Sequence, residues 1–107
     1  MFVVSDDSAW TLDYLGGYAP VQAFGEIMGK QFYFRARFDH WCLTIAEHDA
    51  VNASCGFEPA LFERTEAYGE PGEFEASYMD AGDALQFIQQ SLVSYQASCN
   101  KLVAVGQ

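Results

Sequence analysis

From Gly29 to Trp41 the chain reads GKQFYFRARFDHW, and its apolar and polar positions alternate. Phe32, Phe34, Ala36 and Phe38 fall on one side of an extended strand, with Tyr33, Arg35 and Arg37 on the other. Upstream, PVQAFGEI alternates as well, and MGKQ between the two supplies a hairpin turn in which Gly29 can take a positive φ. Ala23 and Gly25 then share a face with Phe32 and Phe34, small residues leaving room for rings. Downstream, Asp39 and His40 form a second turn, which sets Phe38 opposite Trp41, Ala36 opposite Leu43 and Phe34 opposite Ile45. The pattern predicts an antiparallel meander whose buried face consists of Ala23, Ile27, Phe32, Phe34, Phe38, Trp41, Leu43 and Ile45.

From Asp80 the period changes. Ala81, Leu85, Ile88, Leu92, Tyr95 and Cys99 recur every three or four residues, the signature of an amphipathic helix, with Asp80 as its N-cap and Asp83 in the first turn. Between sheet and helix, LFERTEAY and GEFEASYM flank GEPG and read as a second hairpin, the first of them also compatible with a short helix. His48 to Glu58 reads as an exposed loop, and DDSAWTLDYLGG as a short helix from Ser5 that stops at Gly16 and Gly17. The expected fold is a single α+β domain over residues 1–107: a β-meander with a second hairpin, packed against a long C-terminal helix. The other face of that helix carries Gln86, Gln89, Gln90, Ser91, Ser94, Gln96 and Ser98, polar but uncharged, a candidate homodimer contact.

Composition sharpens the picture in two respects. Half of the 107 residues are hydrophobic and 16% are aromatic, enough for one core and too much for a disordered tail. The N-terminus has no basic start or long apolar run, no stretch approaches the ~20 apolar residues of a membrane span, and Cys42, Cys55 and Cys99 lack the spacing of a disulfide framework. These features lead us to expect a cytoplasmic protein with reduced thiols. Charge is the extreme feature: fifteen acidic residues against five basic ones give −10. Ten of the acids lie in residues 47–83, where Arg64 is the one base. A chain this acidic repels nucleic acid and anionic membranes and is drawn to basic surfaces.

No nucleotide-binding loop, HExxH or GxSxG motif is present. His40, Cys42, His48 and Cys55 are zinc-ligand types, but their spacing matches no familiar finger, and a Cys55 nucleophile lacks a recognisable context. The carboxylates are spread over a hairpin rather than paired in opposed environments, so they read as a solvated face rather than a catalytic pair. No catalytic residue, metal or cofactor is expected. The residues expected to meet a partner are Glu58, Glu63, Glu66, Glu70, Glu73 and Glu75. Arg35 and Arg37 are expected to pair with Glu26 and the acidic second hairpin, because the net charge opposes an anionic ligand.

The segment GGYAPVQAFGEIMGKQFYFRARFDHWCLTI, with YGEPGEFEASYM ahead of the C-terminal helix, resembles small uncharacterised prophage and mobile-element proteins. In size, charge and lack of enzyme signatures it is similar, by class, to anti-CRISPR inhibitors. The resemblance implies a non-enzymatic inhibitor in a bacterial host cell that mimics nucleic acid on a basic protein surface, a CRISPR-Cas effector subunit being the candidate. Two other readings fit the same residues: a small α+β enzyme or ligand-binding domain with a pocket between helix and sheet, and a self-associating accessory protein.

Overall fold

The computed structural model describes the backbone of residues 10–105 and the side chains of residues 10–99. Five strands, β1 (Trp10–Gly16), β2 (Val21–Ile27), β3 (Lys30–Arg37), β4 (His40–Ala46) and β5 (Phe62–Ala67), form one antiparallel sheet in sequence order. A short helix, α1 (Ala50–Ser54), follows β4, and α2 (Ala81–Val105) closes the chain. The fold is the α+β meander with a long C-terminal helix that the alternation and the change of period predict.

The β2–β3 hairpin turns on Met28 and Gly29, both at positive φ (52° and 80°), the conformation that suits the twist of a two-residue hairpin. Ala23 pairs with Phe34 and Gly25 with Phe32, as expected. The next turn sits one residue earlier than the sequence suggests. Arg37 faces His40, so Phe38 and Asp39 form the loop and the core pairs become Ala36 with Trp41, Phe34 with Leu43 and Phe32 with Ile45. A shift of two along a strand keeps every side chain on its face. Phe38 is the exception: its φ is 60° and its side chain is 43% exposed. Its N–H donates to Ser77 Oγ and its carbonyl accepts from Ala76 N–H, both at 2.8 Å. Those two bonds tie the turn to a distant segment and take Phe38 out of the core.

Three further expectations are corrected. Trp10 to Gly16 is a strand, not a helix; residues 5–9 of that expected helix lie outside the described residues. A bulge at Asp13 interrupts the register between Leu12 and Tyr14. Trp10, Leu12 and Leu15 therefore approach the core at spacings of two and three, which imitates a helical stripe. LFERTEAY does not pair with GEFEASYM. Its Phe62–Ala67 portion pairs with β4 as an edge strand, and Glu75–Tyr78 forms a 3-10 turn. Finally, the segment read as a loop contains α1, capped by the Asp49 side chain, which accepts from Asn52 N–H at 3.0 Å.

The sheet has two unlike faces. On one, Phe32, Phe34, Trp41, Leu43 and Ile45 are at most 1% exposed and pack against Ala84, Ile88 and Leu92 of α2. Trp41 stacks on Phe87 (4.9 Å between centroids), while among the described residues its indole N–H has no hydrogen-bond partner. Each large side chain buried so fully stabilises the fold by about 1.5–3 kcal/mol. Among the described residues, the opposite face is covered where Ala50 and Ala53 of α1 rest on Tyr33 and Ala46. Beyond that cover no other described element packs on this face.

Candidate functional site

The acidic segment after β5 builds a concavity at the N-terminal end of α2. Tyr68 starts it: its N–H donates to the Asp39 carbonyl, and its hydroxyl donates to Asp83 Oδ2 at 2.7 Å in the first turn of α2. The ring stands edge-on to Phe87. GEPG then reverses the chain, held by two carboxylates. Asp39 accepts from Gly72 N–H at 2.8 Å, and Glu75 accepts from Glu70 N–H at 2.6 Å. The 3-10 turn places Phe74 against Phe38 (5.5 Å) and Tyr78 beside Tyr18 (6.1 Å), leaving Phe74 and Tyr78 exposed. Asp80 caps α2, accepting from Gly82 N–H.

Tyr68, Glu73, Phe74, Glu75, Tyr78 and Asp80 line an open concavity of about 540 Å³. Among the described residues no Lys, Arg or His lies within 4.0 Å of the Glu73, Glu75 or Asp80 carboxylates. Three carboxylates among three aromatic rings form an environment for a cation: carboxylates pair with an ammonium or guanidinium, and ring faces attract it.

Two titrations follow from this geometry. The hydrogen bond from Gly72 N–H, with a lesser one from His40, lowers the Asp39 pKa, so Asp39 holds the loop at neutral pH and releases it in acid. The hydrogen bond to Asp83, reinforced by burial, pushes the Tyr68 phenol up to about 12 from an ordinary 10.0. A phenol raised in the folded state contributes stability that is complete below pH ~10 and lost as pH rises to ~12. Tyr68→Phe should cost about 1 kcal/mol at pH 7, since a hydrogen bond to a charged group at a partly exposed site is worth roughly that. The gap between parent and variant should close between pH ~10 and ~12 in urea titrations; a gap unchanged at high pH would contradict the assignment.

The six glutamates expected to meet a partner are all exposed, but they do not form one row. Strand alternation puts Glu63, opposite Thr44, on the open face and Glu66, opposite Trp41, on the helix face. Glu66 is paired with Arg64 at 2.6 Å, and the Arg64 guanidinium lies over the Trp41 ring. Glu58 lies in the loop before β5. Glu73 and Glu75 line the concavity, with Glu70 joined to it through its N–H. Sequence reasoning missed Tyr68, Phe74, Tyr78 and Asp80 as site residues, because strand alternation assigned Phe74 and Tyr78 to a sheet rather than to a turn.

The two arginines of β3 also depart from expectation. Glu26 pairs across from Gln31, whereas Arg35 faces Gln22 and Cys42. Among the described residues neither Arg35 nor Arg37 has a carboxylate within 4.0 Å. On the polar face of α2, Gln86, Gln89, Gln90, Ser94 and Ser98 are exposed and Gln96 is half-buried. Ser91 is not part of this face: it is buried and donates to the Phe87 carbonyl at 2.8 Å. The three cysteines are free, and among the described residues no group of three or more His, Cys, Asp or Glu converges to hold a metal. No described helix is long and apolar enough to cross a membrane. Comparison with protein-family models, with curated proteins and with solved structures returns no match.

Proposed function

We propose that this protein is a non-enzymatic acidic binding protein that seats a basic side chain of a protein partner in the concavity between Tyr68 and Asp80. The observation that carries this reading is the arrangement there: Glu73, Glu75 and Asp80 interleaved with Tyr68, Phe74 and Tyr78, with no described cation beside the carboxylates. The surrounding surface favours the same class of partner, since Glu58, Glu63 and Glu70 add exposed negative charge around β5. A basic surface that ordinarily holds nucleic acid is the natural complement, because exposed carboxylates can occupy places otherwise taken by phosphates. The finer form of the proposal is an inhibitor carried by a phage or other mobile element and acting on a CRISPR-Cas effector subunit in the bacterial cell. It rests on the class resemblance in size, charge and motif content.

Charge reversal tests it. Glu70→Lys with Glu73→Lys should slow association with the purified effector about tenfold or more, while thermal unfolding stays close to the parent, because exposed charges steer encounter and contribute little to stability. Phe74→Ala with Tyr78→Ala should instead speed dissociation, since the rings act on the seated cation. Unchanged kinetics in both folded variants would remove the concavity from the interface.

A further inference from the structure

Beyond the acidic concavity, we propose that the open face of the sheet carries a second site of opposite charge, which binds the phosphate group of a small phosphate monoester. A pocket of about 380 Å³ opens between the end of α1 and the β3–β4 turn. Its base is two neighbouring cross-strand rows: Arg35 beside Cys42 and Thr65, and Arg37 beside His40. Arg35 and Arg37 are two residues apart on one strand, so both point to this face with their Cα atoms about 7 Å apart. Thr65 brings a hydroxyl to the pocket and Ser54 also lines it, though the Ser54 hydroxyl donates to the Val51 carbonyl at 2.7 Å.

Both arginines are half-buried, and among the described residues neither has a carboxylate partner. Two like charges held side by side in a concave site repel each other, and a bound anion relieves that repulsion. The Arg37 guanidinium lies 4.6 Å from the Phe38 ring centroid, which fixes its position, and among the described residues its N–H groups donate to no acceptor. Tyr33, which also lines the pocket, is anchored by donating to Gln22 Oε1 at 2.6 Å. Arg35 lies close enough to act on this phenol, opposing the rise that burial gives its pKa.

A phosphate monoester carries a charge of about −1.5 to −2 at pH 7 and three strong acceptor oxygens. Two guanidiniums and the Thr65 hydroxyl match that demand, whereas one bidentate arginine satisfies a carboxylate. The volume lies within the range of roughly 300–1,000 Å³ of small-molecule sites, so it has room for an organic body as well as the phosphate. The net charge of −10 is a weaker objection than it first looks, because at physiological ionic strength exposed charges are screened beyond about 8 Å.

Side-chain NMR of the 15N-labelled full chain at pH 7.5 tests the site. Three arginines give three Nε–Hε resonances, assigned with Arg35→Met and Arg37→Met, or with the lysine variants should either fail to fold. Phenyl phosphate is the probe, with inorganic phosphate and benzoate as parallel arms. Saturable shifts of Arg35 and Arg37, with Arg64 unmoved in its pair with Glu66, are expected, together with about tenfold or more weaker binding in a folded Arg35→Met or Arg37→Met variant. Absence of saturation at millimolar phenyl phosphate, or equal movement of Arg64, would overturn the site. Benzoate binding as tightly would overturn the choice of phosphate, and inorganic phosphate binding as tightly would overturn the organic body.

Discussion

Phe34→Ala should unfold the protein at temperatures where the parent is native. Phe34 is fully buried, lies between Ala23 and Leu43 in the sheet and packs against Trp41 at 5.7 Å. Truncating a buried phenylalanine costs about 3–5 kcal/mol, the lost transfer energy plus the cavity that remains. For a domain near 100 residues each kcal/mol moves the melting temperature by about 4–8 °C, so a fall of roughly 12–40 °C is expected in a thermal scan. Phe38→Ala provides the control. That ring is 43% exposed and rests on Phe74 and Arg37, so its loss should cost about 1 kcal/mol or less. Equal effects of the two substitutions would contradict the register of β3 against β4.

Gly25→Ala is the second large effect. A Cβ at Gly25 would overlap the Thr11 carbonyl oxygen and meet the Phe32 ring at 2.9 Å. The oxygen belongs to the neighbouring strand backbone and the ring is buried, so neither yields easily. Overpacking of this kind costs about 1–3 kcal/mol and more where backbone must move. The damage should concentrate on β1, because relief requires that strand, with Trp10 and Leu12 in the core, to move off β2. Hydrogen exchange should show the amides of β1 losing protection before those of β3 and β4. Gly29→Ala is the comparison: φ is 80° but nothing lies within 4 Å, so only backbone strain of about 1–2 kcal/mol is expected. Uniform loss of protection across the sheet in Gly25→Ala would argue against this packing.

The parts of the fold that were legible share one property: their pattern is generated locally. Alternation in β2, β3 and β4 and the helical stripe of α2 each arise from one face meeting the core, and the sequence shows both periods directly. Phe62 is the main apolar contribution of β5, an edge strand whose inward positions are otherwise Arg64 and Glu66, so hydrophobicity alone could not join it to β4. In β1 the bulge at Asp13 breaks the period of two. The segment GEFEASYM alternates like a strand, yet Ala76 and Ser77 are buried because they bond to a turn almost forty residues away. The same tertiary contact decides the site. It stands Phe74 and Tyr78 beside Glu73 and Glu75, which a list of glutamates does not reveal.

Arg35 and Arg37 show the limit of arguing from total charge. Their face was legible from alternation, but their partners depended on strand order and on where the acidic segment went. Glu70, Glu73, Glu75, Asp80 and Asp83 lie beyond β5 at the N-terminal end of α2, while the arginines look out from β3 beneath the end of α1. The acidic concavity and the arginine pocket meet where Phe38 touches both Arg37 and Phe74.

Under the proposed function, the acidic concavity and its surroundings engage a basic, nucleic-acid-binding protein surface. The most direct test is the kinetics of binding to a purified CRISPR surveillance complex across a salt series, with and without target DNA. The proposed function predicts that association slows about tenfold or more from low to high salt, and that target DNA and this protein exclude each other. No binding, or salt-insensitive binding that coexists with target DNA, would contradict it.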